Sequence, residues 1–385
     1  MLNSRIETLK RASTESPQAR ERLAWVETFR GMAILAVVAI HVSDELLPFC
    51  PAASPAWNIL GVINRLFQFA VPAFLMVSTL LLTRSLLRSD KREAQGRKAL
   101  KKYFAGRIRR VLRPYLLWSA VAVLFVWRSA PAHFHEGEAL WRVLSGKSYF
   151  HLYFLGLLLQ LSLLLPLLLL FSPLRRPSFW DVTVVTIVVT LGIYEINHWL
   201  WRLPFVGSFL LWHTPSVAVG MWLATQSRGH NDYLLLLLQR GVRPAAVIAL
   251  VALLFYTQPA LKMLRHENNL NTLPYQIAAW SFFSATGFLL LWVATRWKAR
   301  WGETALQNIG RNSMQVYLLH PLVVLAFTKM SGKLTLLAMS HLSSAAATLF
   351  MLALMVFGCA IAVTLSVFVA RFFASTRLSL WLFGQ

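Results

Sequence analysis

The chain of 385 residues is 57% hydrophobic and 14% charged, with a mean hydropathy of +0.56. That composition excludes an ordinary soluble domain, which carries about a quarter charged residues and could not hide so much apolar surface. The formal charge of +23 would suggest nucleic acid in a soluble protein, but here the basic residues crowd into alternate short loops. This is a topology signal, and no nucleic-acid partner is expected.

Residues 1–26 form a polar, basic arm containing Arg5, Lys10, Arg11, Arg20 and Arg22. The apolar run that follows lacks a small-residue cleavage site and reads as a retained first helix. A bilayer-crossing helix needs about 20 apolar residues. Such runs fall near 28–47, 58–82, 112–128, 151–171, 180–196, 205–225, 243–258, 275–294, 312–328 and 343–370. The fifth is short and carries Glu195. The expected fold is all-α: a polytopic membrane bundle of about ten transmembrane helices. Its transmembrane domain covers 27–371, followed by a short tail over 372–385.

Lys and Arg set the orientation. The arm, the dense 84–113 loop, Arg175 and Arg176, Arg228, Arg240 and Arg243, Arg296 to Arg300, and Arg371 and Arg377 share one side, and the intervening loops hold few. By the positive-inside rule that side is cytoplasmic, which puts both termini there. Cys50 and Cys359 make no disulfide framework, and no metal-ligand spacing is present, so no metal is expected.

Ionisable groups inside spans are expensive and are functional candidates by default. Arg30 and His41 are eleven positions apart in the first span. On a helix this is about three turns, so they share a face and lie roughly 16 Å apart along the axis. Glu27 precedes Arg30 by three, and Asp44 and Glu45 follow His41 by three and four, near the same stripe. Alone, Arg30 reads as a topology anchor and His41 as an interhelical hydrogen-bonding residue.

Several segments together resemble the acyltransferase-3 family of membrane acyltransferases, which includes O-acyltransferases of surface polysaccharides. An acidic residue, then Arg30, ten residues and His41 match its first span. Val71-Pro72-Ala73-Phe74-Leu75-Met76-Val77-Ser78 resembles its Val-Pro-x-Phe-Phe-x-x-Ser-Gly, with Thr79 where Gly is usual. Arg107, Arg110, Arg113 and Pro114 resemble the basic lead-in to its third span. His151-Leu152-Tyr153-Phe154-Leu155 resembles its His-Leu-Trp-Phe-Leu, with Tyr153 for Trp. Gly310, Ser313, Tyr317, Leu318, His320 and Pro321 resemble its late Gly-x-x-Ser-x-x-x-Tyr-Leu-x-His-Pro. The matches run in family order over nearly the whole chain.

The resemblance implies transfer of an acyl group, acetyl or succinyl, from cytoplasmic acyl-CoA to a hydroxyl of a cell-surface glycan or lipid-linked glycan. It implies a multi-pass protein of the bacterial plasma membrane, among membrane lipid and cell-envelope assembly proteins. In this reading His41 is the catalytic base and Asp44 orients its ring, as the carboxylate does in a catalytic triad. Arg30, Arg107, Arg110 and Arg113 hold the phosphates of the donor. Glu27, His151, Tyr153, Ser313, Tyr317 and His320 line the substrate path. The competing reading is a transporter or flippase of a lipid-linked oligosaccharide, against which stand the lack of visible repeats and of broken midplane helices.

Overall fold

The computed structural model describes residues 17–90, 96–129, 136–149, 151–170, 178–203, 205–227, 230–265, 272–297, 300–374, 376 and 378–384. Among these the chain is helical and has no strand. The helices are α1 (Pro17–Leu46), α2 (Pro55–Phe67), α3 (Ala70–Asp90), α4 (Gly96–Arg107), α5 (Arg113–Ser129), α6 (Glu136–Leu144), α7 (Tyr153–Leu170) and α8 (Phe179–Ile196). They continue with α9 (Thr214–Gln226), α10 (Asn231–Leu264), α11 (Leu273–Arg296), α12 (Arg300–Arg311), α13 (Ser313–His341), α14 (Ser344–Phe373) and α15 (Leu378–Phe383). Most of residues 1–26 in the arm lie outside the described residues.

Among the described residues, seven segments are long and apolar enough to cross a membrane: Ala24–Phe49, Pro55–Leu87, Phe179–Trp201, Asn231–Leu264, Leu273–Arg296, Ser313–His341 and Ser344–Phe373. Tyr153–Leu169 is a shorter apolar helix. Their outer faces are what lipid requires: Leu254, Phe255, Val356 and Phe368 are large apolar side chains left mostly exposed. Such surface is stable only in a hydrocarbon solvent. The chain is an all-α polytopic membrane protein.

Three expected spans take a different form. The second is broken into α2 and α3 at Gln68 and Phe69, so the argument from unbroken helices does not hold for it. The sixth, expected over 205–225, opens with two 3₁₀ turns, Val206–Ser208 and Leu210–His213. Its α-helical part, α9, has 13 residues and reaches about 20 Å, short of a hydrocarbon core of about 30 Å. The fifth extends beyond its expected end: after α8 the helix continues as a π-turn over Asn197–Trp201. A capping box between Ser178 and Asp181 sets where α8 begins.

Two contacts position the site. At the basic end of α1, a β-carbon on Gly31 would overlap the Leu306 carbonyl oxygen, and one on Gly310 would overlap that of Glu27. With no side chain at either position, α12 lies backbone to backbone on α1, the close approach that small residues permit between membrane helices. From that junction α13 climbs beside α1 in the same direction, taking Gly310 beside Glu27 to His320 beside His41. At the same end of α3 the guanidinium of Arg84 is buried. It donates to the Ser227 hydroxyl (2.7 Å), the Asn231 side-chain oxygen (3.2 Å) and the His230 carbonyl (3.3 Å). This ties α3 to the turn between α9 and α10.

Candidate active site

α1 has no interior proline, so Arg30 and His41 keep the helical separation of about 16 Å. The two residues end in two different environments. His41 lies among rings and Arg30 among cations.

At the upper position the His41 and His320 rings are 5.1 Å apart, centroid to centroid, and tilted by 33°. The His320 ring folds back along its own helix. Its Nδ1 donates to the Val316 carbonyl at 2.8 Å. A carbonyl only accepts, so the proton sits on Nδ1 and Nε2 of the neutral ring offers a lone pair. That Nε2 has no hydrogen-bond partner among the described residues.

His151 comes from the turn before α7. Its ring is 5.9 Å from that of His320 and 5.2 Å from that of Tyr317. The Tyr317 hydroxyl donates to the His151 carbonyl, fastening the turn to α13. His320, His151 and Tyr317 are buried, whereas His41 is only partly so. His41 is therefore the most exposed histidine of the three.

The remaining sequence-derived candidates divide. Tyr153 is adjacent, but the Lys147 ammonium sits over its ring at 5.0 Å and over that of Phe205 at 4.3 Å. Ser313 is the first residue of α13, about 10 Å along the helix from His320. Asp44 is exposed, and its Oδ1 accepts from Asn64 Nδ2 at 2.7 Å. The same amide reaches the Ile40 carbonyl at 3.0 Å and the Ser43 hydroxyl at 3.1 Å. Asn64 thus binds α2 to the top of α1 with Asp44 as part of that clasp, and the ring set against His41 is that of His320. Neither Asn64 nor Arg84 stood out in the sequence.

At the lower position Arg30 lies within the electrostatic reach of Glu27, Arg107 and Arg110. Arg107 ends α4 and Arg110 sits in a π-helical turn, Ile108–Leu112, a distortion that often marks functional positions. The carboxylate here, Glu27, is paired with Arg311 at 2.8 Å. Arg107 has a buried Nε without a hydrogen-bond partner among the described residues, and its guanidinium lies 5.8 Å from the Tyr103 ring. Arg113 stands apart from this group, 5.0 Å above the Trp381 ring of α15. The tail expected over 372–385 is docked there: Phe383 is buried and the Leu382 carbonyl accepts from Trp118 Nε1 at 2.9 Å.

Arg30, Arg107 and Arg110 repel one another, and Glu27, the carboxylate beside them, is paired with Arg311, so an anion here would be stabilised. One helix, α1, thus carries a group of guanidinium side chains at one end and a histidine cluster at the other. The family model of the acyltransferase-3 acyltransferase domain matches residues 23–371. The chain belongs to that family and is an acyltransferase that moves acyl groups other than aminoacyl groups. Comparison with curated proteins and with solved structures gives no match.

Proposed function

We propose that the protein transfers an acyl group, acetyl or succinyl, from cytoplasmic acyl-CoA to a hydroxyl of a cell-surface glycan or lipid-linked glycan, in the bacterial plasma membrane. The observation that carries this reading is the pairing, on one unbroken helix, of Arg30 in a cluster with Arg107 and Arg110 and of His41 in a cluster with His320. Acyl-CoA has the matching form: phosphates at one end of a long arm and a thioester at the other. The guanidinium groups would hold phosphate by charge-assisted hydrogen bonds.

In the transfer step His41 accepts the proton of the acceptor hydroxyl while that oxygen attacks the thioester carbonyl. The new C–O bond forms, the C–S bond breaks, and the departing thiolate takes up a proton to leave as the free thiol. No covalent acyl-enzyme is needed. His320, held by Val316 with its Nε2 lone pair available, is suited to fix the His41 ring. This is the role that helix spacing alone would give to Asp44. Cell-envelope assembly proteins are the partners to which the product would pass.

The test compares surface glycans of cells with and without the protein by mass analysis, alongside transfer from labelled acetyl-CoA and succinyl-CoA by the purified chain. Loss of an acyl substituent together with turnover in vitro supports the reading. Unchanged glycans and no turnover with either donor contradict it, and transport of a lipid-linked oligosaccharide into vesicles without acylation would favour the flippase reading instead.

A further inference from the structure

Apart from the histidine cluster, a cavity of about 800 Å³ lies between α8, α9, α10 and α11. Its size falls in the range of small-molecule sites. Its walls are almost wholly apolar, and the ionisable residue lining it is Arg240. Arg240 has no acidic partner among the described residues.

The cavity has a defined direction. Its wall on α8 runs from Phe179, the first residue of that helix, to Leu191. That is about 18 Å of helix, close to the roughly 15 Å of hydrocarbon in one leaflet. Phe179 is the basic-side end of α8, and its ring packs 5.8 Å from that of Trp222. Arg240 belongs to the same end: its neighbour Gln239 accepts from Arg296 and Trp292, at the foot of α11. The Trp222 indole Nε1, also at this end, is buried without a hydrogen-bond partner among the described residues. A cation and an N–H without a partner among the described residues mark one mouth. Beyond them the wall is mostly apolar, with the Thr190 hydroxyl and the Trp280 N–H as further buried polar atoms without such a partner.

We propose that this cavity seats one acyl chain of an anionic membrane phospholipid, with the phosphate at Arg240 and an ester carbonyl within reach of Trp222. Hydrocarbon already surrounds the protein, so transfer from water supplies no driving force. The lining is half open, with Phe179, Ile187, Ile248 and Ile277 exposed. The gain therefore comes from the close fit of one chain in a preformed groove and from a negative charge meeting the Arg240 guanidinium.

The full-length protein, purified and stripped of lipid, is titrated with dioleoyl phosphatidylglycerol and dioleoyl phosphatidylcholine and read by native mass spectrometry. Phosphatidylglycerol should bind about fivefold more tightly, as expected for one basic residue beside an anionic headgroup, because the choline of phosphatidylcholine cancels the charge of its phosphate. Arg240→Gln should remove that preference while leaving chain binding. Ile187→Trp changes an exposed side chain of α8 that lines the cavity, and it should lower the occupancy of both lipids. Equal affinity for the two lipids in the unaltered protein overturns the proposal, as does full occupancy in Ile187→Trp. Displacement of the lipid by glycerol 3-phosphate alone would reassign Arg240 to a free phosphate and also overturns it.

Discussion

The His320 ring stands 5.1 Å from that of His41, and its Nδ1 proton is committed to the Val316 carbonyl. If His320 positions His41, removing it should slow transfer without touching the donor. His320→Ala is expected to lower kcat about tenfold, a loss of about 1.4 kcal/mol of transition-state stabilisation from a ring left unbraced, with KM for acyl-CoA unchanged. His320→Asn, which keeps a donor near Val316, should recover part of the loss. Equal kcat in the original and the Ala variant would remove the positioning role.

Donor affinity should depend on the lower cluster. Arg30→Gln, Arg107→Gln and Arg110→Gln should each weaken acyl-CoA binding by about 10- to 100-fold, the range for hydrogen bonds to charged groups. The loss should be smaller at high salt, where screening already weakens the original protein. Arg113→Gln should matter less, because that guanidinium faces Trp381. Isothermal titration of the four variants would decide, and a loss confined to Arg113→Gln would reverse the assignment.

Much of this site could be read before the fold was known, because motifs carried it. Arg30, His41, His151, Tyr317 and His320 were all candidates, and the structure brings the three histidines and the tyrosine within ring contact. Asp44 was chosen from helical spacing along α1 alone. Its hydrogen-bond partner, Asn64, lies 20 residues away on α2, and no local periodicity announces such a contact. Arg84 was counted as loop charge, yet its partners Ser227 and Asn231 are 143 and 147 residues distant. Hydropathy also passed smoothly over Gln68 and Phe69, since a break that exposes no charge leaves the apolar run intact.

The α1–α12 junction should tolerate no side chain. Gly31→Ala or Gly310→Ala forces a methyl group into an opposing carbonyl, and overpacking of this kind costs about 1–3 kcal/mol. Thermal unfolding in detergent should shift downward for both variants, while Gly106→Ala, where a β-carbon meets nothing, should not. Unchanged melting of Gly310→Ala would contradict the close packing.

Orientation is tested by labelling. In a background lacking Cys50 and Cys359, a cysteine replacing exposed Lys101 on α4 should react only after the membrane is opened, and one replacing exposed Arg142 on α6 should react from outside. Labelling of position 101 in intact cells would overturn the topology and the cytoplasmic location of the donor site.

The most direct measurement concerns His41. Acyl transfer from labelled acyl-CoA by His41→Ala and His41→Gln, in nanodiscs and normalised to folded protein, should fall by about 10²- to 10⁴-fold, the usual contribution of a positioned acid–base group. Donor binding, anchored about 16 Å away at Arg30, should persist. Near-normal turnover in either variant would contradict the general-base role, and lost donor binding in a folded protein would make His41 part of the donor site instead.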